Sequence, residues 1–126
     1  NLLFIGDCGL MDLIDQESLM KLGACESDLQ RLFLEVSKYH RFRIIDGFSS
    51  NEFLSDKHHD FPSKAVDVLF LEEHPQLETR ERYYFFGGFV LGVASQLNIN
   101  LGWGPCLSDF KESNFYGSFI HFELLF

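Results

Sequence analysis

The chain has 126 residues, 46% of them hydrophobic and 15 of them Phe, which is enough apolar material for one domain with a real core and excludes a disordered segment. A formal net charge of −9 and a pI near 4.8 leave no basic surface to neutralise phosphates, so nucleic acid and anionic membrane are not expected as main partners. Cys8, Cys25 and Cys106 are odd in number and widely spaced with no Cys-x-x-Cys pair, so buried reduced thiols are expected rather than a disulfide scaffold or a cysteine zinc site.

Asn1 to Ile5 is apolar, but no basic segment precedes it and Asp7 and Asp12 follow, so it is not read as a signal peptide. No apolar run reaches the roughly 18 residues that a membrane span requires. Leu10 to Leu22 suits a short helix or two turns. Ser27-Asp28-Leu29-Gln30 resembles a capping box, and Leu29, Leu32, Phe33 and Val36 then fall on one helical face, predicting a helix to about Tyr39.

Arg41 to Asp46 reads as a strand entering a turn at Gly47, and Phe48 to Phe61 as a long polar loop. Ala65 to Phe70 is a β-branched and apolar strand whose single charge, Asp67, needs a partner or a ligand. From Glu78 or Thr79 the longest helix runs to about Leu97, with Gly87 and Gly88 in its middle, where close approach of another backbone is expected. Asn98 to Trp103 alternates as a strand, Cys106 to Gly117 is a second irregular loop, and Phe119 to Leu125 is the closing strand, with Ile120, Phe122 and Leu124 facing away from His121 and Glu123. The elements predict a single α+β domain over residues 1–126, a small mostly antiparallel sheet with helices packed on one side.

His58 or His59, Asp67 and His121 fall at the mouths of predicted strands beside two long loops. Two imidazoles and a carboxylate form a normal catalytic zinc set that leaves a fourth position open, whereas the bland alternative is a solvated loop histidine, a strand Asp bonded to backbone and a half-buried His121. His40 and His74 match no motif and read as surface residues, and Trp103 and the Phe-rich helix read as core.

Ser55-x-Lys57-His58 followed by Pro62-Ser63-Lys64-Ala65-Val66-Asp67-Val68, with His121-Phe122-Glu123-Leu124 near the C-terminus, resembles the zinc D-alanyl-D-alanine carboxypeptidase family, and most of all its phage L-alanyl-D-glutamate endopeptidase (endolysin) branch. Ser27 to Val36, Tyr83 to Ala94 and Gly102-Trp103-Gly104 resemble further segments of that branch in the same order, leaving residues 1–25 outside the likeness. The resemblance implies the hedgehog-like fold of that family, Zn2+ as cofactor on His58, Asp67 and His121, and hydrolysis of amide bonds in peptidoglycan stem peptides at the bacterial cell wall, by a phage-encoded monomer made in the cytoplasm. It also marks departures. The family's acidic general base stands three residues before the last His, where this chain has Ser118, and its substrate-orienting Arg falls at Ser49. Ser63 is carried over as a second substrate-side position. Asp109, Glu112 or Glu123 are candidates for the missing base, with Glu123 read chiefly as a partner behind the ligands. The alternative is a zinc- or peptide-binding domain of the same fold without turnover.

Overall fold

The computed structural model describes residues 14–48, 56–107 and 115–125. Residues 1–13, 49–55, 108–114 and 126 lie outside this description, and with them Cys8, Ser49, Asp109 and Glu112. In chain order the elements are helix α1 (Gln16–Leu22), helix α2 (Ser27–Val36), strand β1 (Phe42–Asp46), strand β2 (Ala65–Phe70), helix α3 (Thr79–Gln96), strand β3 (Leu101–Trp103), helix α4 (Phe115–Ile120) and strand β4 (His121–Leu124). The strands form one four-stranded antiparallel sheet in the order β1-β2-β4-β3.

The core lies between α2, α3 and one face of this sheet. Val66, Val68 and Phe70 point there from β2, Phe42 and Ile44 from β1, and Phe122 and Leu124 from β4, all buried. From α2, Phe33 sets its ring 5.6 Å from both Phe42 and Phe122, and from α3, Phe86 stacks on Phe70 at 4.5 Å. The Phe-rich helix is divided by this packing. Tyr83 and Phe86 are buried, while Tyr84 and Phe85 are exposed. Trp103 is core, as the sequence suggests.

Helix α1 closes the outer edge of β1, whose backbone groups would otherwise be unpaired. Asp15 caps the helix through the Ser18 amide at 3.1 Å, the Ser18 hydroxyl accepts the Ile44 N–H at 2.8 Å, and the Lys21 ammonium donates to the Ile45 carbonyl at 2.9 Å.

Several local expectations are corrected. Glu26, not Ser27, is the N-cap of α2, because the Glu26 N–H is already fixed on the Ser63 carbonyl at 2.8 Å, and Gln30 reaches back to the Cys25 carbonyl instead of closing a capping box. The helix stops at Val36, where the Ser37 hydroxyl donates to the Leu34 carbonyl at 2.6 Å. The capping box belongs to α3, between Glu78 and Glu81. Phe119 and Ile120 belong to α4 and not to the closing strand, since the Phe119 carbonyl accepts the Trp103 indole N–H at 2.8 Å and so is unavailable to a sheet neighbour. A Cβ on Gly87 would lie 2.6 Å from the Trp103 ring, so this glycine admits a side chain from the sheet and not a backbone, while Gly88 faces open space. His40 is not a surface residue. Its side chain is only 15% exposed, its Nδ1 stands 3.0 Å from Glu72 Oε1, and its ring lies edge-on 4.5 Å from Phe89. Cys25 is a buried free thiol as expected, but Cys106 is exposed.

Candidate metal centre

Asp67 and His121 are directly opposed across β2 and β4, and their neighbours Val66 and Phe122 are opposed in the core. Alternation along a strand therefore puts Asp67 and His121 together on the face of the sheet away from α2 and α3. His58 reaches them from the connection between β1 and β2, at the end of a short 3-10 turn, Asp56–His58. His58 and His121 are fully buried and Asp67 is 2% exposed.

The hydrogen bonds behind each ring decide which nitrogen faces inward. His58 Nδ1 lies 2.7 Å from the Gly47 carbonyl, which can only accept, so Nδ1 carries the hydrogen and Nε2 the lone pair. His121 Nε2 lies 2.8 Å from Glu123 Oε1 and its Nδ1 lies 3.0 Å from Asp67 Oδ1. With Nε2–H donated to Glu123, the neutral His121 ring also turns a lone pair inward. His58 Nε2 stands 3.3 Å from Asp67 Oδ1 without the alignment of a hydrogen bond, and is a buried polar atom lacking a hydrogen-bond partner among the described residues. In that tautomer two lone pairs and a carboxylate oxygen converge, an arrangement suited to a cation among them; without one, a proton on His121 Nδ1 bonded to Asp67 relieves the repulsion. Tetrahedral bonds of about 2.0–2.1 Å set neighbouring ligand atoms about 3.3 Å apart, and the 3.0 and 3.3 Å separations here are close to that. All three ligand atoms lie within 4.8 Å of one another. This group can hold a metal ion.

The same contacts set the charges of the metal-free centre. Burial works against ionised Asp67, but the bond with His121 and the nearby His58 imidazole outweigh it and hold the carboxyl below its ordinary range. Burial likewise works against a charged His121, and its bonds to Asp67 and Glu123 prevail and push the imidazole up. Glu123 is half-buried and held down in the same way, burial being outweighed by His121 and by the Lys57 ammonium 3.2 Å from its Oε2. Lys57, Glu123 and His121 form a chain that points the imidazole at the centre.

No family model matches the chain, and no curated protein matches it in sequence. Among solved structures, the crystal structure of Serratia marcescens L-Ala D-Glu endopeptidase ChiX matches with a TM-score of 0.65 over 94% of this chain and 94% of that chain, at 20% sequence identity. The chain has that endopeptidase's fold.

Within the endopeptidase fold, the remaining sequence candidates separate. His59 is exposed and does not join the centre, leaving His58 as the inward-facing histidine. Ser118 sits in α4, half-buried, its backbone pressed on Gly104 so closely that Gly104 has no room for a Cβ. Glu123 bonds the His121 nitrogen that points away from the centre, so it stands behind the ring and not on the face where a base would act. Ser63, read from the resemblance as substrate-side, is fully buried, and its hydroxyl bonds the Ala65 carbonyl at 2.8 Å, so it braces the start of β2. His74 is exposed, as expected. Two contributors escaped sequence reasoning. The Gly47 carbonyl fixes His58, and Lys57 fixes Glu123, where its only signal was its place in the motif before His58.

Proposed function

We propose that the chain is a zinc-dependent peptidase that hydrolyses an amide bond in peptidoglycan stem peptides, acting at the bacterial cell wall as phage lytic enzymes do. The observation that carries this reading is the inward convergence of His58 Nε2, Asp67 Oδ1 and His121 Nδ1, supported by the fold shared with an L-Ala D-Glu endopeptidase. His58, Asp67 and His121 would hold the zinc, which would supply Lewis acidity for a scissile carbonyl and a water with its pKa lowered toward about 7. Two neutral imidazoles and one carboxylate are the donor set that zinc accepts with a position left for substrate.

The chain's own residues do the rest. Asp67 supplies the negative charge that favours a dication, and the Gly47 carbonyl and Glu123 hold the two rings in the tautomers that leave the inward nitrogens unprotonated. Burial keeps bulk water from competing for these donors. Ser118, at the position of the family's acidic base, has no basicity near neutral pH, and this one substitution favours the second reading, a domain that binds zinc and peptide without turnover.

The two readings part in a hydrolysis assay on a synthetic stem peptide with the zinc-loaded protein. Cleavage that stops with a chelator and returns with zinc supports the peptidase. A folded, zinc-loaded protein that binds the peptide and leaves it whole supports the binding domain. Loss of a general base costs about 10²- to 10⁴-fold in rate, so Ser118→Asp is expected to raise turnover. No gain in a folded, zinc-loaded Ser118→Asp variant would remove Ser118 from the base position.

A further inference from the structure

Beside the metal centre, on the outer side of β1, lies a groove of about 350 Å³ bounded by Met20, Lys21, Ala24, Ile45, Asp46 and Phe48. Gly47 also lines it, and the carbonyl of Gly47 is the group that holds His58. The groove therefore shares Gly47 with the support of the ligand set.

The charge in the groove is set by a bulge. Along β1, Phe42 and Ile44 face the core opposite Phe70 and Val68, and unbroken alternation would send residue 46 the same way. The register shifts between Ile44 and Asp46, and Asp46 comes to stand directly opposite Asp67. An extra residue in one strand re-aims the side chains beyond it, so Asp46 faces the metal side. Asp46 is half-buried, and its carboxylate makes no hydrogen bond or ion pair among the described residues. The other charged group of the groove, the Lys21 ammonium, is held on the Ile45 carbonyl at 2.9 Å and on Glu17 at 3.4 Å and makes no ion pair with Asp46. Met20 is 70% exposed and Phe48 46% exposed, giving the groove apolar walls around a carboxylate that has no partner among the described residues.

We propose that this groove is a substrate subsite for a cationic group of the peptide, an ammonium seated on Asp46 with its aliphatic neighbour against Met20, Ala24 and Phe48. The proposal rests on the peptidase reading for the identity of the peptide. A stem peptide offers such a group in two places, the terminal amine and the side-chain amine of its diamino acid. Both present the same chemistry.

The test uses a synthetic lysine-containing stem peptide in three forms, unmodified, acetylated on the terminal amine, and acetylated on the lysine side chain. Calorimetric Kd values are measured on the zinc-loaded protein and on Asp46→Asn and Asp46→Lys, with zinc content and folding checked for each. A charge-assisted bond contributes about tenfold or more in affinity, so acetylating one amine should raise Kd by about that factor, and which amine it is identifies the group bound. In Asp46→Asn this discrimination should shrink to nearly nothing, and in Asp46→Lys the acetylated form should be preferred. Equal binding of the three peptides to the unaltered protein, unchanged discrimination in folded, zinc-loaded Asp46→Asn, or binding of none of them overturns the proposal. Hydrolysis that ignores acetylation would overturn the subsite and leave the peptidase reading standing. Discrimination by Asp46 without any hydrolysis would support the subsite and overturn turnover.

Discussion

At the scale of the residue, the centre depends on a nitrogen being bare. His121 can offer Nδ1 only while Nε2 keeps its hydrogen, and the Glu123 carboxylate, itself steadied by Lys57, holds it there. Glu123→Gln keeps an acceptor of the same shape and removes the charge, so it isolates the electrostatic part. Zinc affinity measured against a competing chelator should fall by about 10- to 100-fold in Glu123→Gln and less in Lys57→Met, with folding retained in both. An unchanged affinity in Glu123→Gln would mean that the carboxylate only packs. Cys25 gives a second residue-scale test. Burial pushes its thiol up to about 12 from an ordinary value of 9.0. A folded pKa above the unfolded one contributes stability that is complete below the unfolded value and is lost as pH rises toward the folded one. The thermal midpoint should therefore decline between about pH 9 and 12, and Cys25→Ala should decline less over that window. In the folded protein near neutral pH the exposed Cys106 should react with an alkylating reagent well before Cys25 does.

At the scale of the element, the two adjacent glycines of α3 predict opposite signs. A methyl group at Gly87 would press on the rigid Trp103 ring at 2.6 Å, so Gly87→Ala should destabilise the fold by about 1–3 kcal/mol. Gly88 has nothing within 4 Å of that position, and Gly88→Ala should stabilise by about 0.5–1 kcal/mol, both read from denaturant midpoints. Equal effects would contradict the packing of α3 on β3. The elements that were legible in sequence are those whose own composition decides them. The bounds of β2 match the β-branched run Ala65 to Phe70, and α3 follows its repeat of Tyr83, Phe86, Val90 and Ala94. Those that were not legible are decided from a distance. Helix α4 takes Phe119 from the predicted strand because the Trp103 indole claims its carbonyl. The start of α2 is set by the bridge between Cys25 and Ser63, and the bulge that turns Asp46 is visible only in the pairing with β2.

At the scale of the whole molecule, the sheet brings together residues from both halves of the chain, since β2 lies between β1 and β4 and β4 between β2 and β3. That order sets Asp46, Asp67 and His121 side by side across adjacent strands, a relation that no local pattern carries. What singled out His58, Asp67 and His121 in the sequence was the order of several motifs along the chain, whereas spacing alone left His58 and His59 equivalent. Burial and the contact with Gly47 separate them physically. No helix among the described residues is long and apolar enough to cross a membrane. The central claim is that a metal ion completes this fold, and zinc stoichiometry by elemental analysis tests it most directly. The purified protein should carry one equivalent, and His58→Ala and His121→Ala should each carry close to none while remaining folded. A folded, unaltered protein that takes up no zinc when supplied with it, or mutants that retain a full equivalent, would contradict the account.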